Sequence, residues 1–213
     1  MGFKYILFDM DGVLVDSERL SLEIWRDFFE RSGYSFGVSD YVRFIGAQDA
    51  AIKAMTKEFF PNVDLKKLYE TWESAFEQHV SEKKLPAKRG AYELFAELDK
   101  KGIKRAVASS NSLYWVKKNL ASVDLLDRVD AIATADIVES CKPAPDLFLK
   151  AAKLLGAKPS ECLAIEDSRS GLLSANAAGC KLAFIPDLVS PPDEVIKLCD
   201  YVFDSLLDVI ALI

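Results

Sequence analysis

The sequence predicts an α/β fold in which a doubly wound parallel sheet carries an inserted all-helical domain. After Pro86, short apolar segments alternate with helical patterns, an order typical of βαβ units in a sheet covered on both faces. Residues 17–87 carry helical periodicity only, although a strand-like segment already stands at residues 3–8. The helices are therefore inserted after the first strand. We expect a core of residues 1–16 and 88–213 and a helical domain of residues 17–87.

The individual elements follow from the spacing of apolar residues and from the residues that end each segment. In the helical stretch, for example, Leu68, Trp72 and Phe76 recur on one helix face. Gly102 and Gly179 follow two helical patterns, where a helix C-terminus favours glycine. The strands are predicted at residues 3–8, 103–111, 131–135, 162–167 and 181–187, and the helices at 17–34, 39–60, 64–84, 91–101, 112–121, 145–155 and 168–178.

The composition limits the classes of partner and of site. The chain has 213 residues, 50% hydrophobic and 28% charged, which is ordinary for a globular protein with a sizeable core. Its net charge of −6 argues against nucleic acid or an anionic membrane as the main partner. No apolar run approaches the roughly 20 residues of a membrane span, and the N-terminus lacks the layout of a signal peptide. Four cysteines without a C-x-x-C pair favour reduced thiols, and the single histidine, His79, excludes a zinc site of several histidines. We therefore expect a cytoplasmic protein.

Polar residues cluster where three of the predicted strands end. Residues 9–11 (DMD), 109–111 (SSN) and 166–168 (EDS) each follow an apolar strand, and residues 142–143 (KP) precede a helix. Any one of these clusters alone would most simply be a helix cap or a turn. In an open parallel sheet, however, ligands bind beyond the carboxyl ends of the strands. The four clusters together therefore indicate a functional site at that edge of the sheet.

These clusters lie within four motifs that resemble those of the haloacid dehalogenase-like phosphatases. The motifs are DMDGVLVDS, VASSN, KPAPDLF and AIEDSRSGLLSANAAG, and the resemblance covers essentially the whole chain. It implies a Rossmann-like core and a small helical cap domain formed by the inserted helices. It also implies Mg²⁺-dependent phosphoryl transfer through an aspartyl-phosphate.

The resemblance assigns the acidic residues to the reaction and to the cation. Asp9 would be the nucleophile that attacks phosphorus. The carboxylates of Asp9 and Asp167 and the backbone carbonyl of Asp11 would bind Mg²⁺, with Glu166 acting through a water molecule. The dication would make this crowding of like charges favourable. The side chain of Asp11 would then act as general acid to the leaving oxygen and as base to the attacking water.

The other motifs would bind the phosphoryl oxygens. The hydroxyl of Ser109 and the backbone N–H groups of Ser110 and Asn111 would hold these oxygens. Lys142 would offset the charge of Asp9 and of the phosphate. The expected substrate is a small phosphorylated metabolite such as a sugar phosphate, which the cap would select. We expect a monomer, with neither nucleic acid nor a membrane as partner.

Two alternatives to a phosphatase follow from the same resemblance. The first is a phosphomutase, because the chain is similar to the β-phosphoglucomutases in length and motif spacing. Those proteins carry a histidine and an arginine in the cap, and the matching positions here hold Ser21 and Asp49, which favours hydrolysis. The second is a catalytically silent binding protein on the same fold. The complete set of motif residues argues against it.

Overall fold

The computed structural model describes residues 2–45 and 49–213, without the side chain of Asp49. Its strands are Tyr5–Phe8 (β1), Lys104–Ser109 (β2), Ala131–Thr134 (β3), Cys162–Glu166 (β4), Lys181–Phe184 (β5) and Tyr201–Val202 (β6). Its α-helices are Ser17–Arg31 (α1), Val38–Tyr41 (α2), Asp49–Phe59 (α3), Leu65–Ser81 (α4), Ala91–Lys101 (α5), Leu113–Ser122 (α6), Asp146–Leu155 (α7), Arg169–Ala178 (α8), Asp193–Ile196 (α9) and Leu206–Val209 (α10).

The strands form one parallel sheet in the order β3-β2-β1-β4-β5-β6. This is the strand order of a Rossmann-like, doubly wound fold, so the predicted fold class is confirmed. The chain moves outward from β1 in one direction through β2 and β3, and then in the other direction from β4 onward. Strand β6 was not predicted, because its two residues are too short to show a pattern.

The core packs small residues of the sheet against large residues of the helices. Ala106 in β2 and Ala164 in β4 are fully buried, as are Leu147 and Phe148 in α7, and all four belong to one apolar cluster. Alanine on the strands leaves room for the larger helix side chains, so α7 packs directly on the sheet. Leu7 of β1 lies in the same cluster. This packing supports the strands whose carboxyl ends carry the polar clusters.

The chain divides into two units, Met1–Asp16 with Leu85–Ile213 and Ser17–Lys84. The division derived from the sequence, with a helical domain of 17–87, differs from these units by residues 85–87. Unit Ser17–Lys84 has a core of its own, built on aromatic rings. Phe29 and Phe36 stack with ring centroids 4.2 Å apart, and Trp25 packs 5.3 Å from Phe44.

One predicted helix of this unit is wrong in extent. The sequence predicts a single helix over residues 39–60, whereas the structure has α2 and α3 with a turn at residues 42–45 between them. Phe44 lies in that turn and is buried against Trp25. Burial of this ring accounts for the interruption, because packing overrides local helix propensity.

The two chain segments that lead into and out of Ser17–Lys84 lie side by side within the other unit. The backbone N–H of Asp16 donates to the carbonyl of Pro86 at 2.9 Å, and that of Lys88 donates to Leu14 at 2.9 Å. Val15 and Ala87 form an antiparallel bridge between these bonds. Antiparallel backbone hydrogen bonds therefore hold these two segments together, as in a short piece of β-sheet.

The cysteines are free thiols in the structure. Burial raises the pKa of Cys162 and of Cys180 to about 12, so both are poor nucleophiles. His79 lies half-buried in α4, with Nδ1 2.8 Å from the carbonyl oxygen of Ala75. Among the described residues, no helix is both long enough and apolar enough to cross a membrane.

Candidate active site

Polar side chains from three adjacent strands meet at the carboxyl edge of the sheet. Asp9 follows β1, Ser109 ends β2 and Glu166 ends β4, and all three are buried. Because the strand order reverses between β1 and β4, Asp9 and Glu166 stand on either side of the switch point. The hydrogen bonding between β1 and β4 extends to Asp9, whose N–H donates to the carbonyl oxygen of Ile165 at 3.0 Å. In doubly wound sheets this crevice is where ligands bind.

Lys142 joins the two acids. Its Nζ lies 2.5 Å from Asp9 Oδ1 and 2.6 Å from Glu166 Oε1, and its side chain is 6% exposed. Burial alone would lower the pKa of Lys142, but the charges of Asp9 and Glu166 raise it above its usual range. Lys142 is therefore an ammonium cation. The loop that carries it is tied to α8, because the hydroxyl of Ser174 donates to the carbonyl of Ala144 at 2.6 Å.

The second oxygen of Glu166 is held by the turn that begins α8. Oε2 accepts hydrogen bonds from the N–H groups of Asp167 and Ser168 at 3.2 and 3.3 Å, and from the Ser168 hydroxyl at 3.1 Å. The same hydroxyl caps α8 by accepting from the N–H of Gly171 at 3.1 Å. Burial raises the pKa of Glu166 to about 7, against the opposing charge of Lys142. Both oxygens thus accept hydrogen bonds from protein donors, which fix the carboxyl group between Lys142 and the turn that begins α8.

Two glycines allow this close approach of backbone and carboxylates. A Cβ on Gly171, inside α8, would overlap the carboxyl group of Glu166. A Cβ on Gly12, where φ is +76°, would overlap the carboxyl group of Asp167. Only glycine fits at these two positions as long as both acids keep their places.

The acidic residues can hold a cation. Asp9, Glu166 and Asp167 each offer a carboxylate oxygen, and these oxygens lie within 4.8 Å of one another. Burial and the charges of Glu166, Asp9 and Asp187 raise the pKa of Asp167 well above its usual range. One ammonium, that of Lys142, offsets only part of this negative charge. A hard divalent cation with a preference for oxygen ligands, such as Mg²⁺, fits this donor set.

Asp11 is oriented by a residue from the neighbouring strand end. The side-chain amide of Asn111 donates a hydrogen bond of 2.8 Å to Asp11 Oδ2. The backbone N–H of Asn111 lies 3.1 Å from Ser109 Oγ, so the turn after β2 closes around that hydroxyl. Ser110, between them, is exposed. The structure therefore brings Asp9, Asp11, Ser109 and Lys142 to one edge, with the backbone of residues 110–111 beside them.

Sequence reasoning did not assign roles to Asp187 and Lys88, which lie next to this group. Asp187 follows β5, and its carboxyl group has a side-chain exposure of 2%. Lys88 Nζ lies 2.6 Å from its Oδ1. The signal for Asp187 was available, because it is an acid just beyond the end of a strand at the edge where the other clusters lie. Lys88 offered no such signal, since it follows an irregular linker.

A family model described as haloacid dehalogenase-like hydrolase matches residues 6–185. The chain belongs to this family. The match contains every site residue described above apart from Asp187, and the resemblance of the four motifs is thereby confirmed. The family fixes the type of enzyme, a hydrolase, but leaves the substrate open.

Relatives with known names extend this result. The chain is 33% identical over 190 residues to the putative phosphatase YhcW of Bacillus subtilis (strain 168), covering 88% of this chain and 85% of that protein. It is 29% identical to hexitol phosphatase B of Escherichia coli (strain K12), covering 96% and 93%. It is also 39% identical over 192 residues to protein SUPPRESSOR OF QUENCHING 1, chloroplastic, of Arabidopsis thaliana, but spans only 18% of that protein's length against 87% of its own.

A solved structure shares the fold. The crystal structure of a HAD family hydrolase from Deinococcus radiodurans R1, with bound phosphate and sodium, superposes with a TM-score of 0.85 at 26% identity. It covers 97% of this chain and 93% of that one. The similarity therefore extends over both units of the chain.

Proposed function

We propose that the protein is a Mg²⁺-dependent phosphatase that hydrolyses a small phosphate monoester, such as a sugar phosphate, through an aspartyl-phosphate on Asp9. The observation that carries the proposal is the placement of Asp9 at the switch point of the sheet, with Lys142 2.5 Å from Oδ1. The bound phosphate of the Deinococcus hydrolase and the names of the phosphatase relatives support this choice of reaction.

In the first half-reaction a carboxylate oxygen of Asp9 attacks phosphorus, an O–P bond forms, and the bond from phosphorus to the leaving oxygen breaks. Asp11 gives its proton to that leaving oxygen, so the alcohol departs neutral. Ser109 and the N–H groups of residues 110–111 hold the phosphoryl oxygens, while Lys142 offsets their charge. Mg²⁺, bound by Asp9, Asp167 and the Asp11 carbonyl, would screen the repulsion between carboxylate and phosphate.

In the second half-reaction water attacks the phosphorus of the aspartyl-phosphate. Asp11, now ionised, takes a proton from this water, inorganic phosphate leaves and the Asp9 carboxylate is restored. Asn111 holds Asp11 in the same place for both proton transfers, since its amide donates to Oδ2. Glu166 keeps Lys142 and the Asp167 turn in position by accepting hydrogen bonds from both.

A phosphatase is preferred to a β-phosphoglucomutase-like mutase because of the helical unit. At the position matched to the mutase histidine, Ser21 is buried and its Oγ accepts a hydrogen bond from Trp72 Nε1 at 3.0 Å. This hydroxyl is engaged within the unit and cannot shuttle protons as an imidazole does. The position matched to the mutase arginine is Asp49, whose side chain lies outside the described residues. We propose that Ser17–Lys84 acts as the cap that selects the substrate, and that the enzyme works in the cytoplasm as a monomer.

The test is hydrolysis of p-nitrophenyl phosphate and of a panel of phosphorylated metabolites, with and without Mg²⁺, read as kcat/KM. We expect Mg²⁺-dependent release of inorganic phosphate. We also expect little conversion of β-glucose 1-phosphate to glucose 6-phosphate, even with a bisphosphate activator. Efficient isomerisation with negligible phosphate release would overturn the choice of hydrolase, and folded protein without any turnover would favour a silent binding protein.

A further inference from the structure

Asp187 adds a carboxylate next to the acidic centre. Strand β5 pairs with β4 so that Phe184 stands opposite Glu166, and the segment after Phe184 therefore runs along the edge where Asp167 lies. A Cβ on Gly12 would overlap the carboxyl group of Asp167 and would lie 3.2 Å from Asp187 Oδ2. The two carboxyl groups thus lie on the same side of Gly12, although they come from different loops.

Lys88 holds this carboxylate. Its Nζ lies 2.6 Å from Asp187 Oδ1 and 3.8 Å from Asp16 Oδ1, and its side chain is 14% exposed. The backbone of Lys88 is placed by its hydrogen bond to Leu14 and by the bridge between Val15 and Ala87. The ammonium group of Lys88 therefore offsets the charge of an acid beside the candidate cation site.

The charge of Asp187 acts on that site. Its Oδ2 and the carboxyl group of Asp167 lie against the same side of Gly12, within contact distance of a Cβ at that residue. The Lys88–Asp187 pair has little contact with water, so salt screens it weakly. A change of charge at either member therefore changes the potential at the Asp167 oxygens.

We propose that Lys88 and Asp187 are a positioning pair that sets the affinity of the Asp9–Asp167 centre for a divalent cation. Asp187 makes the potential at the centre more negative, and Lys88 limits this effect while it holds the carboxylate beside Asp167. Neither residue is a ligand in this account. The inference rests on the cation site of the proposed function, and it adds the residues that tune that site.

The account predicts opposite effects for the two single substitutions. Asp187→Asn removes one negative charge beside the centre and should weaken Mg²⁺ binding about tenfold, whereas Lys88→Met removes the positive charge and should strengthen binding several-fold. The double variant Lys88→Met/Asp187→Asn keeps the net charge and should return to within about threefold of the wild type. Mg²⁺ affinity is measured by calorimetric titration of the full chain without substrate, together with thermal unfolding in the absence of Mg²⁺.

Asp200→Asn is the matched control. Asp200 also forms an ion pair with a lysine, at 2.6 Å from Lys181 Nζ. It precedes β6, however, and its carboxyl group accepts a hydrogen bond from the N–H of Leu182, near the amino end of β5 and away from the carboxyl edge. This variant should leave Mg²⁺ affinity unchanged. Weaker binding in both single variants without recovery in the double variant would show that the pair only supports the fold, and would overturn the proposal.

If a single variant does not fold, the Mg²⁺ affinities of the double variant and of Lys88→Arg test the proposal. Both should bind Mg²⁺ within about threefold of the wild type, and a loss of more than about tenfold in the double variant overturns the proposal. The readout is independent of turnover. An affinity pattern as predicted without phosphatase activity would reject the proposed function alone, and phosphatase activity without the pattern would reject this inference alone.

Discussion

The side-chain amide of Asn111 donates a hydrogen bond of 2.8 Å to Oδ2 of Asp11. The two residues stand at the carboxyl ends of adjacent strands, β2 and β1, and the sheet brings them together although they are 100 positions apart in the chain. In the mechanism that we propose, Asp11 transfers a proton in both half-reactions, so its carboxyl group must keep one orientation. Asn111 supplies that orientation, in addition to the backbone N–H that the sequence assigned to phosphate binding.

Asn111→Ala should slow transfer from substrates with poor leaving groups. Without the amide, Asp11 samples other orientations, and we expect kcat to fall about tenfold for an alkyl phosphate and much less for p-nitrophenyl phosphate, whose leaving oxygen needs no proton. The measurement is kcat and KM for both substrates. Asn176→Ala, an exposed asparagine of α8, is the control and should match the wild type. Equal losses for the two substrates would contradict the positioning role.

Asp11→Asn should produce the same selectivity to a greater degree, because it removes the proton donor itself. General acid–base catalysis typically contributes about 10²–10⁴-fold, and we expect a loss in that range for an alkyl phosphate. Mg²⁺ binding should be largely retained, since the proposed ligand is the backbone carbonyl. Adding Asn111→Ala to this variant should cause little further loss, because the two residues act through one proton transfer. Additive losses would place Asn111 in a separate role.

Lys142→Met should destabilise the metal-free protein, and more so at higher pH. The substitution leaves Asp9 and Glu166 buried without their ammonium partner, which costs about 3–5 kcal/mol when both acids are charged. Burial already raises the pKa of Glu166, and loss of Lys142 raises it further. An acid whose pKa is higher in the folded than in the unfolded state destabilises the fold once the pH rises above its pKa in the unfolded state. The loss of stability should therefore be smaller at pH 5 than at pH 8.

Urea unfolding of the metal-free variant at the two pH values measures this effect. Lys181→Met is the control, because Lys181 forms an exposed ion pair with Asp200, and such pairs contribute little to stability. A loss for Lys142→Met that is the same at both pH values would show that the charges of Asp9 and Glu166 are not its cause.

Gly171→Ala tests the contact between α8 and Glu166. Alanine normally stabilises a helix interior by about 1 kcal/mol relative to glycine. Here its Cβ would overlap the Glu166 carboxyl group, so we expect lower stability and weaker Mg²⁺ binding instead. Gly37→Ala, where the Cβ would meet open space, is the control and should leave Mg²⁺ binding unchanged. Stabilisation by Gly171→Ala would mean that Glu166 is not held as the structure shows.

The sequence predicted the sheet and the edge at which the site lies, for a physical reason. Parallel strands are buried on both faces, so β1, β2 and β4 appear as apolar runs, and the polar residue after each run must lie at the carboxyl edge. The helix predicted over residues 39–60 is wrong because Phe44 packs against Trp25, which local periodicity does not reveal. Strand β6 is only two residues long and lacks any pattern.

The contacts within the site could not be predicted in the same way. The pairs Asn111–Asp11 and Lys88–Asp187 join residues about a hundred positions apart, and they depend on side-chain direction as well as strand order. The expected contact of Glu166 with a water on the cation stays a prediction, and no pattern in the sequence indicated the hydrogen bonds that its two oxygens accept from Lys142, Ser168 and the backbone. The polar type of a residue at a strand end predicts its place in the site, but packing decides which neighbour it contacts.

The most direct test of the account is to trap the phosphoryl group on Asp9. The protein is mixed with substrate and Mg²⁺, quenched in acid within one turnover, reduced with borohydride and digested with trypsin. The peptide Tyr5–Arg19 is then sequenced by mass spectrometry. We predict reduction of the acyl phosphate at residue 9, and none in Asp9→Asn. Steady turnover with no modification at residue 9, or with the phosphoryl group on Asp11 or another residue, would contradict the aspartyl-phosphate mechanism.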